Sequence, residues 1–250
     1  MACSSSSRRS GLVMLAVFLS LLSLSSVSCQ GGDWELANAT STLNGQDLAG
    51  CGFENQTEYQ GKTVAVSTAM YTNGQMCGGC FEIRCNGSST CLPETVQVTA
   101  AASCAASYFN ATRNWCQEPN KHFELPTSIF SSISNDAWAV VPVQFRRVTC
   151  AREGGVRYRL AGSSSSVGVM VYNVGGTGDV VDVKIKGSAT GWEEMINGDD
   201  QRWVTADKIS SLSGQSLSFR VTSSDGKVID AMNVAPKDWK FGESYEGGQF

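Results

Sequence analysis

Histidine is almost missing from this chain of 250 residues, in which His122 is the only imidazole. Several common catalytic signatures are missing too: the sequence has no Gly-rich phosphate loop, no nucleophile elbow and no His–Glu metal motif. No apolar run after the N-terminal segment approaches the roughly 20 residues that a transmembrane helix needs. These absences exclude a P-loop nucleotide hydrolase, an elbow-type serine hydrolase and an integral membrane protein.

The N-terminal segment has the pattern of a secretory signal peptide. Arg8 and Arg9 precede an apolar run, Leu12–Leu24, which is followed by small residues. We therefore expect residues 1–29 to be removed and the mature protein to be secreted. The formal net charge is −4 before this loss of two arginines, so the mature chain is more acidic still. An acidic chain disfavours nucleic-acid and anionic-membrane partners.

The cysteines of the mature chain all lie in its first half, which indicates two parts with different construction. An even number in an exported protein predicts disulfides, although eight cysteines allow on the order of a hundred pairings. A zinc cluster built on the Cys77-x-x-Cys80 spacing is the alternative, and the oxidising secretory route disfavours it. The eight residues are Cys51, Cys77, Cys80, Cys85, Cys91, Cys104, Cys116 and Cys150.

Four Asn-x-Ser/Thr glycosylation acceptors also fall in this half. Each is expected to lie in a surface loop if it carries a glycan, because the glycan is bulky and hydrophilic. The four acceptors are Asn38, Asn55, Asn86 and Asn110.

Both halves have the period-two hydrophobic pattern of β-strands. In the first half the segment 95–100 and the alternation of Val141, Val143 and Phe145 predict strands, and a short helix is expected behind Pro126. In the second half three alternating sets predict an antiparallel sandwich with one buried face per sheet. Those sets are Val156, Tyr158 and Leu160; Val181, Val183 and Ile185; and Leu217, Phe219 and Val221.

Seven stretches spread over the mature chain resemble the alpha-type expansins of plants. They are CGF at 51–53, NGQMCGGCFEIRC at 73–85, WCQEPNKHFEL at 115–125, VPVQFRRVTC at 141–150, GDVVDVKIKG at 178–187, GQSLSFRVTSSDG at 214–226 and PKDWKFGESY at 236–245.

The resemblance implies an all-β protein of two domains. Residues 30–150 are expected to form a disulfide-bonded double-psi β-barrel, and residues 151–250 an immunoglobulin-like, cellulose-binding-type β-sandwich. The implied function is loosening of the plant cell wall without hydrolysis, by disruption of noncovalent contacts between cellulose and matrix glucans of the xyloglucan type. The implied bridges pair Cys51 with Cys77, Cys80 with Cys150, Cys85 with Cys91 and Cys104 with Cys116.

The resemblance also places a site in the barrel around His122 and Glu124. The family reads His-Phe-Asp where this chain has His-Phe-Glu, and that aspartate matches the general acid of related inverting endoglucanases. Inverting hydrolysis needs a second carboxylate about 6.5–9.5 Å away, which expansins lack. Asp47 is the nearest upstream carboxylate here, and Thr42 keeps a family threonine. The alternative for His122 is a partly buried imidazole that braces the barrel wall.

The sugar-binding surface departs from the family pattern. Asn44 replaces a tyrosine, and two surface aromatics of the sandwich are lost near Ser166 and Asp199. Flat aromatic faces stack on sugar rings, so these losses predict weaker cellulose binding. Tyr172 and Trp203 are the remaining candidates for exposed sugar contacts.

Three functions follow from these features. The first is an expansin proper, a monomeric protein of the wall that needs no cofactor and no metal. The second is a weak endoglucanase that uses Glu124 as its acid. The third is a binding or signalling module that keeps the expansin fold without loosening activity.

Overall fold

The chain folds into a β-barrel followed by a β-sandwich, as the sequence predicts. The computed structural model describes residues 33–42, 50–53, 59–104, 115–162, 166–198, 202–206 and 212–250. The barrel strands are β1 Glu35–Thr42, β2 Thr63–Val66, β3 Cys80–Cys85, β4 Thr95–Ser103, β5 His122–Pro126 and β6 Val141–Arg147, with helices α1 Thr68–Tyr71 and α2 Thr127–Ile133. The sandwich strands are β7 Arg157–Gly162, β8 Val167–Tyr172, β9 Val180–Gly187, β10 Glu193–Asn197, β11 Arg202–Thr205, β12 Leu217–Ser223, β13 Val228–Ala235 and β14 Ser244–Glu246.

The barrel closes in the order β1-β5-β2-β4-β3-β6. Strand β1 pairs with β5 and β2 with β4 in parallel, and the other four neighbouring pairs are antiparallel. Three buried rings from β3, β5 and β6 fill its interior: Phe81, Phe123 and Phe145 have centroids 5.1–5.9 Å apart and meet edge to face. Because alternate residues point inward, their neighbours on the same strands face outward.

The second half forms one eight-stranded sheet in the order β13-β12-β9-β10-β11-β8-β7-β14. Strand β10 pairs with β9 on one side and with β11 on the other, so it joins the two layers of the sandwich. Tyr158 on β7 stacks against Phe219 on β12 with centroids 5.0 Å apart. This stacked pair packs the two layers on each other at the centre of the core.

The alternating patterns were correct for most strands and wrong at Val181. All of the valine and aromatic positions expected inside β6, β7 and β12 are buried. Val181, however, is 49% exposed, whereas Val180 is buried. The register between β9 and β12 shifts at this point, where Thr222 pairs with Asp182 but Ser223 pairs with Val180. The extra residue of this bulge turns Val181 out of the core.

All four disulfides implied by the family resemblance are present. The bridges are Cys51–Cys77, Cys80–Cys150, Cys85–Cys91 and Cys104–Cys116. The zinc alternative, which would use Cys77, Cys80, Cys85 and Cys91, is therefore wrong, because all four sulfurs are in disulfides and supply no thiolates.

The barrel and the sandwich meet through charged and close backbone contacts. Arg147 reaches from β6 to Asp179, whose carboxylate oxygen accepts a hydrogen bond at 2.7 Å and is almost fully buried. The amide of Cys150 donates to the carbonyl of Gly176 at 2.7 Å. At Gly178, where φ is +82°, a Cβ would lie 2.2 Å from the carbonyl oxygen of Gly78. The junction is thus packed closely enough to require glycine.

Candidate functional site

The outer face of the β1–β5 pair carries the residues that the sequence placed in a site. His122 and Glu124 lie two positions apart on β5 and therefore share one face, while Phe123 between them points into the barrel. The parallel register sets Thr40 beside Glu124. The hydroxyl oxygen of Thr40 lies 2.9 Å from Nε2 of His122. A threonine, an imidazole and a carboxyl group are thereby fixed on one wall of the barrel.

His122 is more buried than the partly buried imidazole expected, with 1% of its surface exposed. Burial lowers the pKa of His122 to about 4, because a charged imidazolium loses its hydration inside the protein. Its main-chain amide donates to the hydroxyl of Ser67 at 3.3 Å, and its carbonyl accepts from the amide of Ser67 at 2.9 Å. The ring is therefore neutral near pH 6, and its Nε2 links β5 to Thr40 of β1.

Glu124 lies over the disulfide Cys104–Cys116. A carboxylate oxygen of Glu124 is 3.8 Å from Sγ of Cys116, and it shares a cluster within 4.8 Å with both sulfurs. The bonded sulfurs carry no proton and are not thiolates, so this group does not form a transition-metal site. The half-buried carboxyl group therefore has a disulfide sulfur as one of its neighbours.

Thr42 lies at the end of β1, further along the same face as Thr40. Its carbonyl accepts a hydrogen bond at 3.1 Å from the hydroxyl of Thr127, the first residue of α2. Ser41 bonds to the same hydroxyl at 2.9 Å. Helix α2 thus fixes the end of the strand, and Thr42 is half-buried.

The exposure expected for Tyr172 and Trp203 is wrong. Trp203 is 4% exposed and packs in the sandwich core, because β11 lies between β8 and β10 and turns the indole inward. Tyr172 is 8% exposed and packs with Phe53 and Tyr59 where the sandwich meets the barrel. Neither ring presents a flat face to a polysaccharide.

The other residues expected at the sugar-binding surface are only partly described. Ser166 is half-buried and immediately precedes β8. Asp47, Asn44 and Asp199 lie outside the described residues. Of the described aromatic residues in the sandwich, Phe241 is 39% exposed, and the ring of Trp239 meets it edge-on at 5.4 Å.

The glycosylation acceptors occupy different surroundings. Asn86 is exposed just after β3, beside Gly87 with a φ of +81°, as expected of a surface turn. Asn38 is instead half-buried within β1, which pairs with β5 on one side and β6 on the other. The surface-loop expectation is therefore wrong for Asn38. Asn55 and Asn110 lie outside the described residues.

Two contributors to the site were missed from the sequence. Thr40 stands two residues before Thr42, so the period of a strand could have placed it on the same face. Ser67 comes after β2 and is brought to His122 only by the pairing of β2 with β5, which no local pattern indicates.

Family comparisons agree with this architecture. Residues 156–236 match the model described as the expansin C-terminal domain, and residues 63–145 match a double-psi β-barrel model described as lytic transglycolase. The class that the fold defines is thus a barrel joined to an expansin-type sandwich.

The relatives narrow that class. Expansin-A22 of Arabidopsis thaliana is 41% identical over 86% of this chain and 78% of its own length. Expansin-A13 of the same plant is 40% identical over 91% of this chain and 88% of its own length. Expansin-A10 of Oryza sativa subsp. japonica is 41% identical over 87% of each chain. The chain belongs to the alpha-type expansins of plants, the cell-wall-loosening family that its sequence resembles.

Solved structures share the fold at low identity. An expansin from Clavibacter michiganensis superposes with a TM-score of 0.67 at 18% identity, covering 87% of this chain and 98% of that one. A mutant of the same bacterial protein, solved in complex with cellohexaose, matches equally well. Within the described residues, no helix is long and apolar enough to cross a membrane.

Proposed function

We propose that this expansin loosens plant cell walls without hydrolysis, by binding a glucan along the outer face of β1 and β5 and weakening its contacts with neighbouring polymers. The geometry that carries this proposal is the wall formed by Thr40, His122 and Glu124, in which the imidazole is hydrogen-bonded and buried. The cellohexaose complex of the bacterial relative supports a β-glucan chain as the ligand.

The residues of this wall have separable roles in the proposal. Glu124 offers a carboxyl group to sugar hydroxyls, Thr42 and Asp47 extend the polar surface, and His122 holds the two strands at a fixed distance. Such a wall binds a polymer by hydrogen bonds and needs no cofactor. A fixed array of this kind gains affinity because little side-chain freedom is lost on binding.

Secretion to the plant cell wall and a chain of two domains are also part of the proposed function. Residues 1–29 direct secretion and are removed, residues 30–150 form the polymer-binding barrel and residues 151–250 form the sandwich. The mature protein acts as a monomer in the cell wall on cellulose and xyloglucan-type glucans. Asn86 is the described acceptor best placed to carry a glycan.

The test measures wall creep, glucan binding and bond cleavage on the same preparations. The mature protein is expected to increase the extension of acid-treated wall specimens under load and to be retained by cellulose or xyloglucan, with no release of reducing ends. Glu124→Gln should reduce both creep and retention, while Glu94→Gln, an exposed charge before β4, should reduce neither. A folded protein that leaves creep unchanged contradicts the proposal. Release of reducing ends by the natural protein, abolished in Glu124→Gln, would indicate a glucanase instead.

A binding module without loosening activity is the second candidate. It is favoured by the burial of Tyr172 and Trp203, which leaves the sandwich without the two exposed rings that were expected. It predicts retention by a wall polymer together with no creep at any concentration. The same paired assays therefore separate the two functions.

A further inference from the structure

A cleft between the barrel and the sandwich lies apart from the glucan-binding wall. Its volume is about 480 Å³, and it is lined by polar residues that include Gln60, Lys62, Gln97, Thr149, Arg152 and Glu153. Thr63, the first residue of β2, comes directly after Lys62 of the cleft, whereas Ser67, which follows the last residue of β2, contacts His122. The length of this strand, about 13 Å, therefore separates the cleft from His122.

The cleft contains a guanidinium with no carboxylate partner among the described residues. Nε of Arg152 donates to the carbonyl of Val174 at 3.3 Å, and Nη2 donates to the carbonyl of Gly78 at 3.3 Å and to the hydroxyl of Thr99 at 3.0 Å. All of these acceptors are neutral. Burial lowers the pKa of Arg152, because the charged guanidinium loses part of its hydration inside the protein.

Arg147, a second arginine at the junction, differs from Arg152 because it has a carboxylate partner. Arg147 makes a 2.7 Å ion pair with Asp179, and this pair joins the two domains. Arg152 crosses the same junction, since it follows Cys150 and bonds to residues on both sides, yet no carboxylate in the described ranges pairs with its charge. A partly buried charge binds an anion more strongly than an exposed one, because water screens it less.

The orientation of Arg152 is fixed before any ligand arrives. Its guanidinium carbon lies 4.6 Å from the ring centroid of Tyr59, and the hydroxyl of Tyr59 accepts the amide of Asn173 at 3.2 Å. Nη1 donates to none of the described residues, which leaves two N–H groups for an incoming anion. A preorganised guanidinium edge of this kind suits a carboxylate.

We propose that this interdomain cleft binds the carboxylate of a uronic-acid residue in an acidic polysaccharide, through Arg152 with support from Lys62. Gln60, Gln97 and Thr149 supply neutral donors and acceptors for the sugar hydroxyls, and the volume suits a short saccharide. Glu153 is the one acidic residue of this lining, and it opposes the ligand charge. This inference rests on the proposed cell-wall-loosening function only because it takes a polysaccharide as the source of the carboxylate.

The test titrates the disulfide-bonded mature protein with trigalacturonate by calorimetry at low and high salt. We expect binding that weakens as salt rises, and no binding of fully methyl-esterified trigalacturonate, which has the same rings without the charge. Arg152→Gln should weaken binding at least about tenfold, since a charged hydrogen bond is removed. Arg84→Gln removes an equal charge from the barrel surface and should leave the affinity unchanged.

Two further variants keep the test decisive if Arg152→Gln disturbs the domain junction. Lys62→Gln, on an exposed side chain, should weaken trigalacturonate binding severalfold, and Glu153→Gln should tighten it about two- to threefold. No binding of trigalacturonate, equal binding of its methyl ester, or an affinity that none of the three variants changes would overturn the inference. Inorganic phosphate that competes with trigalacturonate at equal concentration would also overturn it, by making the cleft a general anion site.

The two proposals fail in different assays. Loss of cellulose binding and creep with retained trigalacturonate binding would refute the glucan-binding wall alone. Normal creep without trigalacturonate binding would refute the cleft alone.

Discussion

Thr40 and His122 are joined by a 2.9 Å contact between a hydroxyl oxygen and Nε2 across the parallel strands β1 and β5. The imidazole is almost fully buried, so this contact satisfies one of its nitrogens away from water. His122 thereby becomes part of the framework of the site.

The titration of His122 should be displaced far from that of a free imidazole. Because it is the only histidine, a histidine-specific NMR signal reports it without ambiguity. The midpoint is expected at about 4, since burial lowers the pKa of His122. A midpoint near 6.5, the usual value, would contradict the burial.

This displaced pKa should also make stability depend on pH. The unfolded chain binds the His122 proton at a higher pH than the folded one, so the free energy of unfolding falls as pH drops from about 6.5 to about 4. The full effect is about 3 kcal/mol for a shift of this size. Urea unfolding of the natural protein and of His122→Gln at pH 7, 6 and 5 measures it, and the variant should show a smaller loss. Equal losses would assign the pH dependence to carboxylates.

Replacing Thr40 should weaken the framework without emptying the core. Thr40→Val keeps the shape and removes the hydroxyl, leaving a buried nitrogen unpaired, and should lower the free energy of unfolding by about 1–3 kcal/mol. Thr40→Ser retains the hydroxyl and should cost less. Both are compared by urea unfolding.

A control is needed because Thr40 is also the third residue of the Asn38 glycosylation acceptor. Asn38→Gln abolishes the acceptor and keeps the hydroxyl of Thr40. If this variant loses as much stability as Thr40→Val, a glycan rather than the hydrogen bond explains the effect.

Trp203→Ala should destabilise the sandwich rather than remove a sugar contact. The indole is 4% exposed in the core, and truncation of a buried tryptophan costs about 3–5 kcal/mol. Phe241→Ala, at a ring that is 39% exposed, should cost much less. Calorimetric melting measures both, and cellulose retention is then compared at a temperature where each variant is folded. A stable Trp203→Ala protein that has lost retention would contradict the burial of this ring.

Gly178→Ala should disturb the junction of the two domains. Its φ of +82° already disfavours a side chain, and the added Cβ would lie 2.2 Å from the carbonyl oxygen of Gly78 and 2.4 Å from Sγ of Cys150. A loss above about 3 kcal/mol is expected, because backbone strain and overpacking add. Gly226→Ala has a similar φ of +80° in open space, so it isolates the backbone cost of about 1–2 kcal/mol. Equal melting temperatures for the two variants would refute a tight junction.

Much of the site could be predicted because family stretches and strand periodicity are local signals. His122 and Glu124 share a face as a direct result of their spacing. The partner residues Thr40 and Ser67 could not be identified with equal ease, since they approach His122 from strands 82 and 55 residues away. Long-range pairing of this kind depends on the order in which strands close the barrel.

The sequence by itself determined the all-β class, the division into a cysteine-rich and a cysteine-free half, and the family whose four bridges are found. Those features follow from the amino-acid composition, the two-residue hydrophobic period of the strands and the short sequence motifs. Only the tertiary structure decided that Tyr172, Trp203 and His122 are buried and that Arg152 has no carboxylate partner in the part of the chain that the structure describes. Exposure and charge compensation depend on which strand or domain packs over a side chain, and residues distant in the chain determine both.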